Sequence, residues 1–216
     1  MVPSDLLKNP KLRKFIREYS TSEFIFEEGF LGDSLYIIIE GMVGISKKTA
    51  GGRRLMFTAC DGDVVGEKAI ISEPGYKHVT SAQTKSTVVT IEADRRGFAV
   101  VQALVPDLFP RMLKAIEQRV DQASDLAQIL LSTNEIDRIS EFTIHYFKFN
   151  KKIGKGLLIT VDEITSATND DPITAQKALD EFCKKQILKS AGKGYALLDE
   201  VALAQYAPEL RDRLAA

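Results

Sequence analysis

The chain is poor in the residues from which small chemical centres are built. Of its 216 residues only two are cysteines, Cys60 and Cys183, and only two are histidines, His78 and His145. That excludes a disulfide framework and an iron–sulfur cluster, and leaves too few ligands for a Cys/His zinc site, so no metal is expected. No run of about 18 apolar residues occurs, and the opening MVPSDLLKNPKLRKF lacks a signal-peptide core. Neither membrane insertion nor secretion is expected, and a reducing cytoplasm is the natural setting. Neither sign of charge dominates: 29 Lys and Arg stand against 30 Asp and Glu. Contact with nucleic acid therefore has to come from a local patch. There is no P-loop and no nucleophile elbow, and the histidines offer no base with an orienting partner, so no enzyme is expected.

What is present is the composition of a folded globular chain, with 44% hydrophobic and 27% charged residues. Three regions follow one another. Up to about Ala103, a short amphipathic helix is expected over Leu6–Tyr19. It is followed by apolar runs, among them FIFEEG, SLYIIIEG, MVGISKK, RRLMFTA and STVVTIEA. Turn clusters separate them: Gly29–Asp33, Ala50–Gly52 (a hairpin turn) and Asp61–Asp63. Short strands at regular spacing with Gly and Asp turns predict an antiparallel sandwich or jelly roll.

The second region predicts one long helix from Asp107 to about Thr133. Leu113, Ile116, Val120, Ala123, Ala127 and Leu130 recur at alternating steps of three and four, a heptad seam. Ala123 and Ala127 would let two helices approach closely, which favours a parallel homodimer seam. The competing reading is a helix laid on its own sheet.

From Glu135 onward the pattern is mixed. A helix over Asp162–Thr168 runs into Asn169, a residue suited to the left-handed turn position. Asp171 then caps a second helix that begins at Pro172. QILKSAGKGYALL reads as two strands around a glycine turn, completing a winged helix-turn-helix. The expected fold is therefore α+β: a β-domain over 1–105, a central dimerisation helix over 106–134, and a winged helix-turn-helix over 135–216.

FIFEEGFLGDSLYIIIEGMVGI resembles the opening signature of cyclic nucleotide-binding domains, matched at Phe26, Glu28, Gly29, Gly32, Asp33, Leu35, Tyr36, Ile38, Gly41 and Val43. DGDVVGEKAIISEPGYKHVTSAQT resembles the phosphate-binding cassette of those domains, with its Gly-Glu pair at Gly66 and Glu67. The order of domains resembles the CRP/FNR (catabolite activator) family of bacterial transcription regulators. The resemblance implies a homodimeric, ligand-responsive DNA-binding regulator with a cyclic nucleotide, foremost cyclic AMP, as its effector.

It also implies roles for residues. Gly66 would admit a close backbone approach and Glu67 would accept from a ribose hydroxyl. The family places an Arg, a Ser or Thr and an Ala where this chain has Lys77, His78 and Val79. Lys77 keeps the charge without the bidentate fork that matches a phosphate. On the central helix Ser124 falls where the base would be met, beside Ala123. Three readings stay open: a cyclic mononucleotide held through Lys77, a refitted pocket for a cyclic dinucleotide, and an empty pocket in a dimer scaffold. Apart from that role, a lone His78 reads as a hydrogen-bonding residue rather than a metal or haem ligand, and the two cysteines as core thiols.

The family opens its recognition helix with an Arg-Glu pair and a later Arg. Here Pro172 and Ile173 fall at the pair and Lys177 at the later position. Thr174, Gln176 and Lys177 are the candidate DNA contacts, with Lys189 and Lys193 in the wing and Lys148, Lys151, Lys152 and Lys155 before it. Residues 160–185 hold three lysines against six carboxylates. Asp170 and Asp171 would stand closest to DNA and repel it. A winged helix converted to protein contact is the rival reading.

Overall fold

The computed structural model describes residues 3–49, 52–150 and 157–205. The turn residues Ala50 and Gly51 and the lysines 151, 152 and 155 lie outside them. The chain divides into two compact units, Met1–Arg119 and Val120–Ala216.

In the first unit the amphipathic helix expected over Leu6–Tyr19 is replaced by three shorter pieces. These are α1 (Pro3–Leu6), a 3-10 turn over Pro10–Phe15 and strand β1 (Ile16–Tyr19). Asn9 caps the turn by accepting from the Lys11 N–H, and Pro10 removes the donor a continuous helix would need. Leu6 and Leu12 still reach the core, and Ile16 and its neighbours pair with a strand instead of extending a helix.

The sandwich is made of β2 (Phe24–Phe26), β3 (Ser34–Glu40), β4 (Val43–Thr49), β5 (Gly52–Ala59), β6 (Val64–Val65), β7 (Ser81–Thr84) and β8 (Val88–Asp94), with β1 at one edge. Two four-stranded antiparallel sheets result, ordered β1-β8-β3-β6 and β2-β7-β4-β5. Strand β3 is buried along Ser34–Ile39, because alternate residues feed opposite cores. Leu35, Ile37 and Ile39 join one cluster with Ile91 and Ala93, while Tyr36 and Ile38 join the other with Val43 and Ile45. The hairpin expected at residues 50–52 is realised as the β4–β5 pair.

Between β6 and β7 lies α2 (Glu67–Ile71), entered through Gly66 at φ 76°. A Cβ at Gly66 would sit 2.8 Å from the Ser34 carbonyl oxygen, so both the dihedral and the close approach require glycine there. After α3 (Phe98–Leu104) comes α4 (Leu108–Leu131), about 36 Å long at 1.5 Å per residue. Leu108 and Met112 pack into the core of the sandwich.

The second unit holds the rest of α4, then α5 (Glu135–Phe149), α6 (Val161–Thr168), α7 (Pro172–Lys184) and the hairpin β9 (Leu188–Ala191) and β10 (Gly194–Leu197). Thr160 and Glu163 form a reciprocal capping box at the start of α6. Asn169 stands at φ 59° and Asp171 accepts from the Thr174 N–H, the turn chemistry expected from sequence. Ile139, Phe147, Ile164, Leu179 and Phe182 form its centre, with Ile129 and Leu126 of α4 packed in. Among the described residues no helix is long and apolar enough to cross a membrane.

Candidate functional sites

One face of the sandwich encloses a cavity of about 90 Å³. Ile45 and Phe57 wall it from β4 and β5, and Phe26 from β2. Gly66 and Glu67 close it at the start of α2, and Tyr76, His78, Val79 and Thr80 line it from the segment before β7. Val65 and Lys68 complete the wall around the start of α2, and Arg119 enters from α4. The Arg119 guanidinium donates to Glu67 Oε1 and, at 3.0 Å, to the Val64 carbonyl, and stands 5.0 Å above the Phe57 ring. The Glu67 side chain is almost wholly buried, and its second oxygen, Oε2, has no hydrogen-bond partner among the described residues. The cavity thus offers one cationic fork, one acceptor oxygen and aromatic walls. That set suits an anion carrying a hydroxyl and a planar ring.

His78 packs flat on Phe26, ring centroids 4.0 Å apart, with Tyr76 edge-on at 5.6 Å. Its ring fills the space that a Gly32 side chain would take, since a Cβ there would come within 2.4 Å. Burial holds its pKa below the usual 6.5, against the opposing charges of Asp33 and Glu67. His145 is lowered too, chiefly by burial; its Nδ1 is buried and unpartnered among the described residues, beside Phe149. Both folded-state values lie below the unfolded one, so the unfolded chain binds more protons in that window. Stability is then fully present above about pH 6.5 and is lost as pH falls below it. Urea midpoints measured from pH 7.5 down to 5 are expected to drop, and the slope should shrink in His78→Asn. An unchanged slope in that variant would assign the effect to His145 or to carboxylates.

Of the effector residues expected from sequence, Gly66, Glu67, His78 and Val79 line the cavity and Lys77 does not. Residues 76–78 run extended, bridged to the segment around Leu31 through Lys77, so Tyr76 and His78 face in and Lys77 faces solvent. Two cations line the cavity, Lys68 at its rim and Arg119 paired with the buried Glu67, and sequence reasoning missed both. Ser124 is exposed on α4, five positions past Arg119 and in the second unit. One signal for Arg119 existed. Met112, Arg119 and Leu126 are spaced by seven along the flank of the helix beside the seam, and a charge interrupting an apolar stripe asks for a buried partner.

The seam residues Leu113, Val120, Ala123, Ala127 and Leu130 are exposed and Ile116 is half-buried. The helix does lie on its own sandwich, through Leu108, Met112 and Arg119 on the flank beside the seam.

In the winged helix the acidic residues are spoken for. Asp170 is buried and held by Arg138, whose Nε lies 3.0 Å from Oδ1 and whose Nη2 also donates to it. Asp171 is the α7 cap, and its own N–H donates to Glu135 Oε1 at 2.6 Å. Arg138 thus supplies the compensation that Asp170 needs, whereas Asp171 stays an exposed carboxylate in its role as cap. Gln176 donates to Asp180 Oδ1 at 2.8 Å and to the Tyr195 hydroxyl, and the Thr174 hydroxyl lies 3.3 Å from Asp171 Oδ2. Lys177, Lys189 and Lys193 are exposed, and Lys148 pairs with Asp125 at 3.0 Å.

Residues 16–98 match the family described as the cyclic nucleotide-binding domain. A CRP-like cAMP-activated global transcriptional regulator of Mycobacterium tuberculosis is 27% identical over 196 residues, 88% of this chain and 87% of the relative. The cAMP-activated global transcriptional regulator CRP of Salmonella typhimurium is 20% identical over 82% of this chain and 87% of its own length. Among solved structures, the c-di-GMP-responsive global regulator CLP of Xanthomonas campestris superposes with a TM-score of 0.65 at 18% identity, covering 91% of this chain and 99% of that one. A CRP-family transcriptional regulator from Thermus thermophilus gives 0.62 at 19%, covering 89% and 96%. At such identities the structures attest the fold.

Proposed function

We propose that this chain, with its cyclic nucleotide-binding domain over residues 16–98, is a CRP/FNR-type transcription regulator: cytoplasmic, homodimeric and DNA-binding, with a cyclic nucleotide as its effector. The observation that carries the effector reading is the buried Glu67–Arg119 pair in the β-domain cavity. A cavity of about 90 Å³ is well below the roughly 300 Å³ of the smallest usual ligand pockets. Entry of a nucleotide therefore requires Arg119 to turn from Glu67 to the cyclic phosphate. That exchange replaces one charge-assisted pair by another and leaves Glu67 to accept from the ribose hydroxyl.

Arg119 is the last residue of the first unit, and Val120 of the exposed seam follows it directly. The cavity's guanidinium and the seam are thus carried by neighbouring positions of one helix. An effector that binds one helix arrangement better shifts the population toward it and reorients the paired winged helices. In the DNA-competent state the two recognition helices would stand about 34–36 Å apart, one helical turn. The exposed seam supports the homodimer; a solitary helix would leave Val120 and Leu130 in water without return.

Calorimetric titration with cyclic AMP, cyclic GMP and cyclic di-GMP tests the effector. Micromolar binding of one of them is expected, lost in Arg119→Gln and only slightly weakened in Lys77→Ala. Loss in Lys77→Ala alone would return the phosphate to the cassette lysine. No heat with any of the three would favour the rival reading, a family member that has kept the fold and dimer and contacts proteins instead. A mobility shift on generic DNA decides the other half: phosphate-driven binding must weaken steeply between about 50 and 200 mM salt.

A further inference from the structure

On α7 the polar candidates for base reading are engaged within the protein: Thr174 with Asp171, and Gln176 with Asp180 and Tyr195. Between the cap and these residues stands Ile173, 64% exposed, in the first turn of the helix. It touches no hydrophobic cluster, and Lys177 lies one turn further on the same face. A β-branched side chain in a helix is held to essentially one rotamer, so Ile173 is a rigid apolar projection where a recognition helix meets base edges.

We infer that Ile173 is a specificity-determining residue that reads the C5-methyl group of a thymine in the major groove. The inference rests on the DNA-binding reading above. The chemistry leaves little choice once DNA is the partner. Isoleucine has neither donor nor acceptor, and the one apolar group on a base edge in the major groove is the thymine methyl. Opposite cytosine, adenine or guanine the side chain would cover a polar edge and satisfy nothing. The electrostatics around it permit the approach. Asp170 is folded inward onto Arg138, and the Asp171 carboxylate is engaged by the Thr174 N–H. Lys177 stands ready for a phosphate or base edge on one side and the wing lysines Lys189 and Lys193 for phosphates on the other. The resulting helix reads with a methyl contact where relatives sharing the Arg-Glu opening would read with charge.

The test begins with selection of duplexes from a random pool by the full-length protein, run without effector and with each of the three cyclic nucleotides. The best duplex is then remade with each thymine in turn replaced by deoxyuridine, which removes the methyl and leaves every hydrogen-bonding group in place. One thymine position is expected to lose about three- to fivefold in affinity on replacement, the worth of one buried methyl. Ile173→Ala should bind thymine and deoxyuridine duplexes equally while keeping the wild-type unfolding midpoint, since the side chain is exposed. Lys177→Ala should instead weaken all duplexes alike and flatten the salt dependence. Indifference to deoxyuridine at every position, or unchanged sensitivity in Ile173→Ala, overturns the inference with DNA binding intact. Failure of the wild type to retain any duplex overturns the DNA reading and the inference together.

Discussion

Arg138→Ala is expected to lower the stability of the C-terminal unit by about 3–5 kcal/mol, the usual effect of removing one partner from a buried ion pair. The size follows from which partner stays. Asp170 is buried, and its side chain is 1% exposed. Without Arg138 the buried carboxylate has no cation beside it, which costs free energy. Arg138 also donates to the Ser132 carbonyl at 2.8 Å, in the connection between α4 and α5, so that turn loosens as well. With a urea m-value of about 1–3 kcal/mol/M, the transition of this unit should move down by one to a few molar. Far-UV circular dichroism gives the midpoint. Amide exchange should show protection lost across α5–α7 and kept in the β-sandwich. Arg138→Met with Asp170→Leu should recover most of the loss, because no charge is then left buried. A drop below about 1 kcal/mol in Arg138→Ala would mean that water reaches Asp170 and that the pair acts as a surface bridge.

The same pair shows where sequence reasoning reaches and where it stops. Asn169, Asp171 and Pro172 announce their turn because each acts within a few residues of itself, through its own dihedral or its own cap. The strands are legible for the same reason: alternation along SLYIIIE and the turn glycines are local signals. The heptad spacing of α4 is legible because a period of seven needs no knowledge of the partner, and five of its six residues stand exposed. The compensation of Asp170 is not legible because its partner lies 32 positions away on another helix. Lys77 and Arg119 are confused on similar grounds. A cassette position suggests a cation near residue 77, but the extended backbone turns that side chain outward. The guanidinium that fills the cavity comes from 52 positions beyond Glu67. At the N-terminus the apolar spacing of Leu6, Leu12 and Tyr19 fits a helix as well as it fits a turn and a strand. Pro10 and the edge left open beside β8 decide between them.

Arg119 permits the sharper experiment, because stability and recognition can be separated there. Arg119→Met alone leaves the Glu67 carboxylate, 2% exposed, facing Phe57 and Tyr76 without its cation. A loss of about 3–5 kcal/mol in the β-domain is expected, and absent nucleotide binding in that variant would prove nothing about the ligand. Arg119→Met with Glu67→Gln removes both charges and keeps both shapes, so the unfolding midpoint should return to near the wild-type value. Nucleotide binding should not return, because the phosphate has lost its fork; a charge-assisted pair of about 1.5–3 kcal/mol corresponds to a roughly 10- to 150-fold weaker complex. Glu67→Gln alone completes the set. It frees Arg119 from its internal competitor while leaving an amide oxygen to accept from the ribose, so the anion should bind at least as well as in the wild type. If the double variant binds cyclic nucleotide normally, Arg119 is a structural residue of the sandwich and the effector is held elsewhere. If it folds and does not bind while Glu67→Gln does, the internal ion pair is the resting occupant of the effector site. The nucleotide then acts by taking its place.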